Sequence, residues 1–280
     1  MPAMLVEEQT KMAPPAGTGL QKEQAVQRMF SSIARYYDLN NSLLSLGLHH
    51  QWKRRAVEFL VGDLPQSLEE KTPLTLPSPS GGEGKGVTPG ERVKFVLDVG
   101  AGTGDLALLA AGRLRGSVRI IAADLNHPML AVGARKILRA RLERQILCVQ
   151  ANADRISARD GTFDAVTTGF CLRNVGDLPA ALREIARTLK PGGRLICLEF
   201  SRPPARWLRR LYDWYSFTVL PWIGTKVSGD TTGVYQYLPA SIRTFPDQEG
   251  LAEEMRKAGF GCVEYHNLTG GIVAIHVAVK

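Results

Sequence analysis

The chain has 280 residues, of which 44% are hydrophobic and 22% charged, so it is long enough to bury the core of one large domain or two small ones. Its net charge of +8 favours anionic partners such as nucleic acid, an anionic membrane surface or an acidic ligand, but the basic residues are scattered and fit a solvated surface equally well. The four cysteines lie far apart, which excludes a zinc or redox motif, and no apolar run is long enough to span a bilayer. Residues 1–20 lack the pattern of a signal peptide, so the sequence predicts a cytoplasmic protein.

The first third of the chain is predicted to contain helices and two segments without packed structure. Residues 1–22 mix polar residues with proline and glycine and are predicted to form a disordered tail. Residues 23–62 are predicted to form a helical cap, since residues 25–38 and 49–60 each carry an apolar stripe with helical spacing and residues 39–48 connect them. Residues 66–92 hold four of the sixteen prolines and five of the 28 glycines, which predicts a flexible insertion in a surface connection, with a functional lid as the alternative.

From Phe95 onward, strand-like and helix-like runs alternate. The apolar strand-like runs cover residues 94–100, 117–124, 145–151, 163–170 and 193–200, and the helix-like runs between them cover residues 105–114, 128–142 and 178–190. This alternation predicts an α/β fold with a parallel sheet that carries helices on both faces. A further helix that begins at Gln248 and ends near Gly259 precedes strands at 262–269 and 271–280, whose link is too short for a parallel crossover and therefore predicts an antiparallel last strand.

Three glycines, Gly100, Gly102 and Gly104, follow the first strand of this series shortly after Asp98. A strand, a glycine loop and a helix are typical of nucleotide-like cofactor sites, but a dinucleotide site requires glycine where this chain has Asp105, whose charge would repel a pyrophosphate. The loop therefore predicts a ligand without phosphate groups. S-adenosylmethionine fits, because Asp98 can bind its ammonium directly or through water and glycine allows close approach of the backbone.

The next two strand ends carry further polar groups suited to an adenosine. Asp124 ends the second strand, where an acid binds the two hydroxyls of a ribose. Asn152 and Ala153 follow the third strand, where a side-chain amide can accept from the adenine amine and a backbone N–H can donate to the ring. Each of these residues alone also fits a helix cap or a polar loop position, but their occurrence at successive strand ends favours an adenosine site.

Several longer motifs resemble one family. VLDVGAGTGDLA at residues 96–107, FDAVTTGFCLRNVGD at 163–177, FPDQ at 245–248 and NLTGGIVA at 267–274 occur in the order found in C-methyltransferases of menaquinone and ubiquinone biosynthesis. The resemblance covers residues 24–280 apart from the insertion at 66–92. It implies a single methyltransferase domain over residues 23–280 with the Rossmann-like class I fold of S-adenosylmethionine-dependent methyltransferases, including a mostly parallel seven-stranded sheet.

The resemblance also implies a cofactor, a substrate and a reaction. The cofactor is S-adenosylmethionine, and Thr103, Asp124, Asn152 and Ala153 match positions that bind it in the family. The substrate is a prenylated hydroquinol that receives a methyl group on a ring carbon. Relatives that act on ubiquinone precursors often carry serine where this chain has Gly169, which favours demethylmenaquinol over the ubiquinone-pathway benzoquinol without excluding the latter.

Two residues are predicted to handle the proton and the charge of such a substrate. His49 matches a family histidine and is a candidate base near neutral pH, with capping of the helix over residues 51–60 as the alternative. Arg173 is a candidate for stabilising a phenolate or orienting a water, with a structural ion pair as the alternative. Asn174 is expected to assist by hydrogen bonding, and the reaction requires no metal.

Residues 201–245 are predicted to form an aromatic substrate and lid region. Residues 206–224 combine six aromatic residues with arginines, a mixture typical of membrane interfaces, so this stretch is expected to cover the prenyl tail and to contact the inner face of a membrane peripherally. An amphipathic helix packed under the edge of the sheet is the alternative. The sequence also leaves open methylation of RNA or of another small molecule and non-catalytic binding of the cofactor, although the chain carries no recognisable RNA-binding motif.

Overall fold

The computed structural model describes residues 19–62, 95–114, 118–219 and 234–280, and its centre is a seven-stranded sheet. The strands are β1 Phe95–Val99, β2 Arg119–Asp124, β3 Ile146–Gln150, β4 Phe163–Gly169, β5 Leu189–Phe200, β6 Cys262–Leu268 and β7 Val273–Val279. Their order across the sheet is β3-β2-β1-β4-β5-β7-β6, with β7 antiparallel to both of its neighbours and every other pair parallel. This arrangement confirms the predicted α/β fold with its antiparallel last strand.

Helices precede and flank the sheet. The α-helices are α1 Gly19–Ile33, α2 Tyr37–Leu44, α3 Leu48–Val61, α4 Asp105–Arg113, α5 His127–Arg139, α6 Leu178–Thr188, α7 Arg206–Trp214, α8 Val234–Thr244 and α9 Gln248–Lys257. Short helical turns lie at Leu172–Asn174 and Thr269–Gly271, and a π-helical segment, Tyr215–Val219, continues α7. Among the helices within the described ranges, none has both the length and the apolar composition needed to cross a membrane.

The side chains of the central strands β1, β4, β5 and β7 are largely buried, and successive side chains of each strand enter two separate core layers. Val96 of β1 packs in the layer that contains Trp52 and Val57 of α3, together with residues of α4. The next residue, Leu97, packs in the opposite layer with residues of α6 and α9. Burial on both sides explains why these strands consist of apolar runs instead of alternating apolar and polar residues.

Some boundaries differ from the sequence prediction. α1 begins at Gly19, inside the tail that was expected to extend to residue 22. α2 lies largely within the connection predicted over residues 39–48, because eight residues are too few to show a helical period clearly. The helix predicted over residues 178–190 ends at Thr188, because Leu189 already pairs with Phe163 of β4. The predicted insertion at 66–92 and most of the predicted tail lie outside the described residues.

The carboxyl ends of β1 to β5 meet at one edge of the sheet, and the strand order changes direction between β1 and β4. In open α/β sheets, ligands bind in the crevice outside such a switch point. α1 lies across this edge, where the Lys22 Nζ donates hydrogen bonds to the carbonyls of Arg173 (3.1 Å) and Val175 (3.0 Å). The N-terminal helices therefore close over the crevice.

Candidate active site

Two cavities adjoin at the carboxyl edge of the sheet. The first, here called the strand-end cleft, is lined by residues at the ends of β1, β2, β3 and β4 or shortly after them, including Gly100, Gly102, Asp124, Asn126, Asn152, Ala153, Gly169, Cys171 and Asn174. The second, here called the aromatic cavity, is lined by residues that include His49, Trp52, Arg173, Phe200, Tyr212, Tyr215, Tyr237 and Thr269. Phe30, Tyr37 and Phe170 line both cavities, which therefore share one wall.

The loop after β1 requires glycine because it packs closely against the segment after β4. Gly100 has a φ of +66°, and a Cβ at this position would collide with the side chain of Cys171. The Gly102 N–H donates to Oδ2 of Asp124 (2.7 Å), which ties the loop to the end of β2. The backbone of Gly100 and Gly102 consequently lines the strand-end cleft directly, because neither residue has a side chain to cover it.

Asp124 lines the cleft at the end of β2, the position predicted for a residue that binds a ribose. Its Oδ2 accepts from the Gly102 N–H and its Oδ1 from the Asn126 N–H, both at 2.7 Å. Each carboxylate oxygen can accept a second hydrogen bond, so the side chain can also bind a pair of hydroxyl groups. Burial raises the pKa of Asp124, and the backbone N–H donors oppose that shift by stabilising the ionised form.

Asn152 and Ala153 also line the cleft, as predicted, and Asn152 contacts a residue that the sequence did not suggest. The Asn152 Nδ2 donates to Oε2 of Glu23 in α1 (3.1 Å). The Asn126 Nδ2 donates to the Gln27 carbonyl, also in α1 (2.9 Å). Glu23 lies on a helix whose sequence shows only an amphipathic pattern, so no signal in the chain pointed to its place in the cleft. α1 forms the cover of the strand-end cleft.

Asp98 and Thr103 lie behind the glycine loop and are not among the residues that line the cleft. Asp98 is 1% exposed; its Oδ1 accepts from the Thr167 hydroxyl (2.8 Å), and its Oδ2 has no hydrogen-bond partner in the described part of the chain. Burial raises the pKa of Asp98 to about 7. The Thr103 hydroxyl donates to Asp38 (2.6 Å), so its side chain supports the loop instead of facing the cleft.

Asp105 does not face the cleft either, so the prediction that its charge would repel a phosphate ligand is wrong. Its carboxylate pairs with Lys53 of α3 (2.7 Å) and with Lys136 of α5. Although burial opposes ionisation, these two lysines hold the pKa of Asp105 at about 2. Lys136 also pairs with Asp38 (2.8 Å), so this cluster fastens α2 and α3 to the glycine loop and α5. The charge of Asp105 is used in packing and does not select the ligand.

His49 lies in the aromatic cavity and is 3% exposed. Its Nδ1 is 2.8 Å from Oγ of Ser45, whose hydroxyl donates to the Asn41 carbonyl (2.6 Å). This hydrogen-bond chain assigns the ring proton to Nδ1 and leaves a lone pair on Nε2, which is buried and has no partner within the described residues. Burial and the nearby Lys53 lower the pKa of His49 to about 4, so the ring is neutral at pH 7.

The alternative that His49 caps a helix is wrong. α3 begins at Leu48, one residue before His49, and the residue at its cap is Gly47, with no side-chain hydrogen bond to the first turn. His49 is therefore inside the first turn of the helix. Its ring is free to face the aromatic cavity, as the base assignment requires.

Arg173 also lines the aromatic cavity and is paired with a buried acid, as the structural alternative predicted. Its Nη1 donates to Oε1 of Glu199 (2.8 Å) and to the Phe170 carbonyl (2.6 Å), while its Nε has no partner among the described residues. Burial opposes the charge, but Glu199 raises the pKa of Arg173 and keeps it protonated. Glu199 is an acid near the end of an otherwise apolar strand, the same signal that identified Asp98, and the sequence interpretation overlooked it.

Asn174 lines the strand-end cleft and lies beside the shared wall. Its Nδ2 donates to the Phe170 carbonyl (3.1 Å), and its Oδ1 accepts from the Tyr237 hydroxyl (2.9 Å). Burial raises the pKa of Tyr237 to about 12, so this hydroxyl stays protonated as a donor. Asn174 thus links Tyr237 of the aromatic cavity to the wall between the two cavities.

Backbone strain is concentrated around the aromatic cavity. Of the residues other than glycine that have positive φ, Leu46, Phe170 and Thr269 line this cavity, with φ of +50°, +57° and +49°. Residues held in this region tend to occur where function requires them. The Phe170 ring packs against the rings of Trp52 (6.2 Å between centroids) and Phe200 (4.7 Å). The result is a fixed aromatic surface suited to a planar ring.

The predicted lid region contributes three of its aromatic side chains to the cavity. Tyr212 of α7, Tyr215 and Tyr237 of α8 line it, whereas Trp207 and Trp214 are exposed. Residues 220–233, with Trp222, lie outside the described residues. The described ranges hold no cluster of three or more side chains able to bind a metal ion.

Comparison with known families matches residues 18–280 to the ubiE/COQ5 methyltransferase family. The ubiquinone/menaquinone biosynthesis C-methyltransferase UbiE of Legionella pneumophila (strain Corby) is 42% identical over 260 residues, which cover 93% of this chain and 92% of the relative. The enzyme of the same name from Pseudomonas paraeruginosa (strain DSM 24068 / PA7) is 41% identical over 260 residues, with 93% and 90% covered.

Solved structures share the fold at low sequence identity. A S-adenosylmethionine-dependent methyltransferase from Thermotoga maritima aligns with a TM-score of 0.56 at 17% identity, covering 91% of this chain and 99% of that one. The cyclase SpnF aligns with a TM-score of 0.51 at 20% identity, covering 67% and 74%. Because one of these proteins is a cyclase, the fold alone does not decide the reaction.

Proposed function

The chain belongs to the ubiE/COQ5 methyltransferase family, and on that premise we propose that it transfers a methyl group from S-adenosylmethionine to a ring carbon of a prenylated hydroquinol, with demethylmenaquinol as the first substrate. The observation that carries the proposal is the wall of Phe30, Tyr37 and Phe170 that the two cavities share. A methyl donor in the cleft and an aromatic ring in the cavity would meet at this wall. The names of the two enzymes at 41–42% identity support the substrate class.

S-adenosylmethionine is the cofactor, and the strand-end cleft has the donors and acceptors that it needs. We assign the ribose hydroxyls to Asp124 and the adenine to Asn152 and the Ala153 N–H, which all lie at the cleft. Thr103 supports the glycine loop through Asp38, and Asp98 lies behind it. Burial raises the pKa of Asp98 to about 7, and the ammonium of the cofactor, bound directly or through water, would favour its ionised form. When bound, the cofactor supplies a methyl group on a positively charged sulfur.

We assign the proton-accepting role to His49. Its ring is neutral at pH 7, and its Nε2 lone pair is free, so it can accept a hydrogen bond and then the proton from a hydroxyl of the hydroquinol. Loss of that proton moves electron density to the ring carbon beside the hydroxyl and makes it a nucleophile. After methyl transfer, this carbon releases its own proton to water, the protonated His49 returns its proton to the substrate oxygen, and the aromatic hydroquinol is restored.

Arg173 stabilises the negative charge that forms on the substrate oxygen. Its guanidinium lines the aromatic cavity with an Nε–H that has no partner in the described structure, so one donor remains for the substrate. Glu199 is a positioning residue, because it fixes the guanidinium through Nη1 (2.8 Å). Asn174 positions the shared wall by its hydrogen bond to the Phe170 carbonyl.

The ubiquinone-pathway benzoquinol is the second candidate substrate. Gly169, the residue that favoured demethylmenaquinol, lines the strand-end cleft and not the aromatic cavity. A Cβ at Gly169 would lie 2.7 Å from Cδ1 of Leu106, a flexible side chain, so the position tolerates a small residue after a minor shift. Because Gly169 does not face the substrate ring, its identity does not exclude the benzoquinol.

Both substrates carry a prenyl chain that partitions into lipid, and we therefore place the reaction at the inner surface of a membrane that the protein contacts peripherally.

Analysis of quinones in a bacterium that lacks its own methyltransferase tests this function. We expect the gene for this chain to restore menaquinone and to remove demethylmenaquinone, as measured by mass spectrometry of extracted lipids. Restoration of ubiquinone in the same cells would add the second substrate. If the purified protein binds S-adenosylmethionine but neither quinone is restored, the proposal is wrong, and methyl transfer to RNA or binding without catalysis becomes the better account.

A further inference from the structure

α7 carries an apolar stripe on its outer side. With about 100° of rotation per residue, Trp207, Leu211 and Trp214 fall within an arc of roughly 60°. Their exposed fractions are 70%, 53% and 58%, and no residue of this helix is buried. Large exposed apolar side chains on one face of a helix mark an interaction surface when they are contiguous.

The opposite side of α7 faces the aromatic cavity. Tyr212 lines the cavity from within the helix, and Tyr215 lines it from the segment that follows. The helix packs against the turn Thr269–Gly271. Leu208 contacts Gly270 so closely that a Cβ on residue 270 would collide with the Leu208 side chain. α7 therefore stands between the cavity and the outside, with aromatic residues on both of its sides.

Basic side chains border the exposed stripe. Arg206 and Arg210 are exposed, and the helical rotation places both on one flank of the stripe. Arg209 points to the inner side, where its Nε donates to the Pro203 carbonyl (3.1 Å), and the acid of the helix, Asp213, pairs with Arg243 (3.2 Å). The outer surface of α7 thus combines tryptophan, leucine and uncompensated positive charge.

We propose that the outer face of α7 is the membrane-docking surface, with Trp207, Leu211 and Trp214 inserted at the interface of an anionic bilayer and Arg206 and Arg210 at the lipid phosphates. Tryptophan and arginine on one exposed helix match the apolar and anionic layers of such an interface in composition and charge. The inference rests on the proposed function in one respect: a prenylated substrate explains why the helix that carries this surface also lines the aromatic cavity.

The test is sedimentation with phospholipid vesicles. The full-length protein is mixed with vesicles of phosphatidylcholine alone or of an equal mixture of phosphatidylcholine and phosphatidylglycerol. We expect binding to the anionic vesicles, and a loss of affinity of at least about tenfold in the triple variant Trp207→Ala, Leu211→Ala, Trp214→Ala. The matched control is Leu138→Ala with Leu147→Ala, which removes side chains that are 63% and 58% exposed elsewhere on the molecule and should bind as the wild type does.

A second variant keeps the proposal testable if the triple variant fails to fold. Arg206→Gln with Arg210→Gln should weaken binding to the anionic vesicles by about fivefold per arginine, whereas Arg139→Gln with Arg144→Gln should leave it unchanged. Equal binding of the wild type to neutral and anionic vesicles, or no binding to either, overturns the proposal. Loss of a dimer in the triple variant, observed by sedimentation velocity without any vesicle binding, would assign the stripe to a second copy of the chain and also overturn it.

Assays of methyl transfer distinguish a failure of the docking proposal from a failure of the proposed function. The same proteins are assayed with a water-soluble demethylated hydroquinol that lacks the tail and with a long-tailed one in anionic vesicles. We expect the triple variant to retain its rate on the first and to lose it on the second. Turnover of both substrates without vesicle binding overturns the docking surface alone. Vesicle binding that depends on the stripe, in a protein that methylates neither substrate, overturns the proposed function and leaves the docking surface standing.

Discussion

At the residue scale, buried polar atoms without a partner occur both in the proposed site and elsewhere. Of the nine such side-chain atoms within the described residues, Asp98 Oδ2, His49 Nε2 and Arg173 Nε belong to residues assigned to the proposed site. An unsatisfied buried polar group costs on the order of 1–3 kcal/mol. On the proposed function, bound ligands would supply partners for these three atoms.

Asp98 gives a prediction about stability. Burial raises its pKa from 3.8 to about 7, so the folded protein holds the proton more tightly than the unfolded chain does. The free energy of unfolding should therefore fall as the pH rises from about 4 to about 7 and level off above that. Asp98→Asn removes this titration, and the stability of the variant relative to the wild type should increase between pH 4 and pH 8 by on the order of 3–4 kcal/mol.

Urea unfolding of the cofactor-free proteins at a series of pH values measures this difference. The wild type and Asp98→Asn are compared at each pH, so titrations elsewhere in the chain cancel. A difference in stability that stays constant from pH 4 to pH 8 would show that Asp98 titrates normally and is not held in a dry environment.

His49 gives a prediction about catalysis. His49→Gln should lower the turnover number by roughly 10²–10⁴-fold, because general base assistance is worth about that much, while the affinity for S-adenosylmethionine should change little. In the wild type at saturating cofactor, protonation of His49 should lower the turnover number only near pH 4 and not near pH 6.5, because the pKa of His49 is lowered to about 4. The exposed residue His127, which lines neither cavity, offers the matched control, His127→Gln, which should remain active. Equal losses in both variants would argue against a specific role for His49.

At the scale of elements, the sequence predicted the sheet well and the N-terminal cap less well. The strands are apolar runs separated by helical patterns, and the short link between β6 and β7 permits only an antiparallel pair, so these features follow from local pattern alone. The packing of α1 against the strand-end cleft depends on contacts between residues more than 90 positions apart, such as Asn126 with Gln27. Such contacts leave no trace in a local pattern, which is why Glu23 was not predicted.

The same limit applies to side-chain direction at the site. Asp105 and Thr103 lie in the glycine loop, and their positions in the sequence suggested that they face the ligand. Their partners, Lys53 and Asp38, come from α3 and α2, and these ion pairs and hydrogen bonds turn both side chains away from the cleft. The residues at the ends of β2 and β3 do line the cleft, because a strand end fixes both the place and the direction of its neighbours, and their binding of the cofactor stays a prediction.

The contacts of α1 predict a change in protection when the cofactor binds. α1 covers the strand-end cleft through Glu23, Gln27 and Lys22, so a ligand that fills the cleft should slow its opening. Hydrogen–deuterium exchange of residues 19–33 should become slower when S-adenosylmethionine is added. α9, which packs in the opposite core layer, serves as the internal control and should not respond. Unchanged exchange in α1 at saturating cofactor would contradict its role as a cover.

At the scale of the whole molecule, the fold places three surfaces in series. The strand-end cleft lies at the carboxyl edge of the sheet, the aromatic cavity adjoins it across Phe170, and α7 borders that cavity with its exposed stripe outward. On the proposed function, a water-soluble cofactor and a lipid-soluble substrate would meet at one wall from two sides. This arrangement links the proposed chemistry to the proposed membrane surface.

The central claim is that the chain methylates a ring carbon of a hydroquinol after removal of a hydroxyl proton. The most direct test is methyl transfer by the purified protein from S-adenosylmethionine to a short-tailed demethylmenaquinone, with and without dithionite as a reductant, with the product identified by mass spectrometry. The account predicts a product methylated on carbon only when the reductant is present, since the oxidised quinone has no hydroxyl to ionise. Equal rates in both conditions would contradict the mechanism, and the absence of methylation in either would contradict the substrate class.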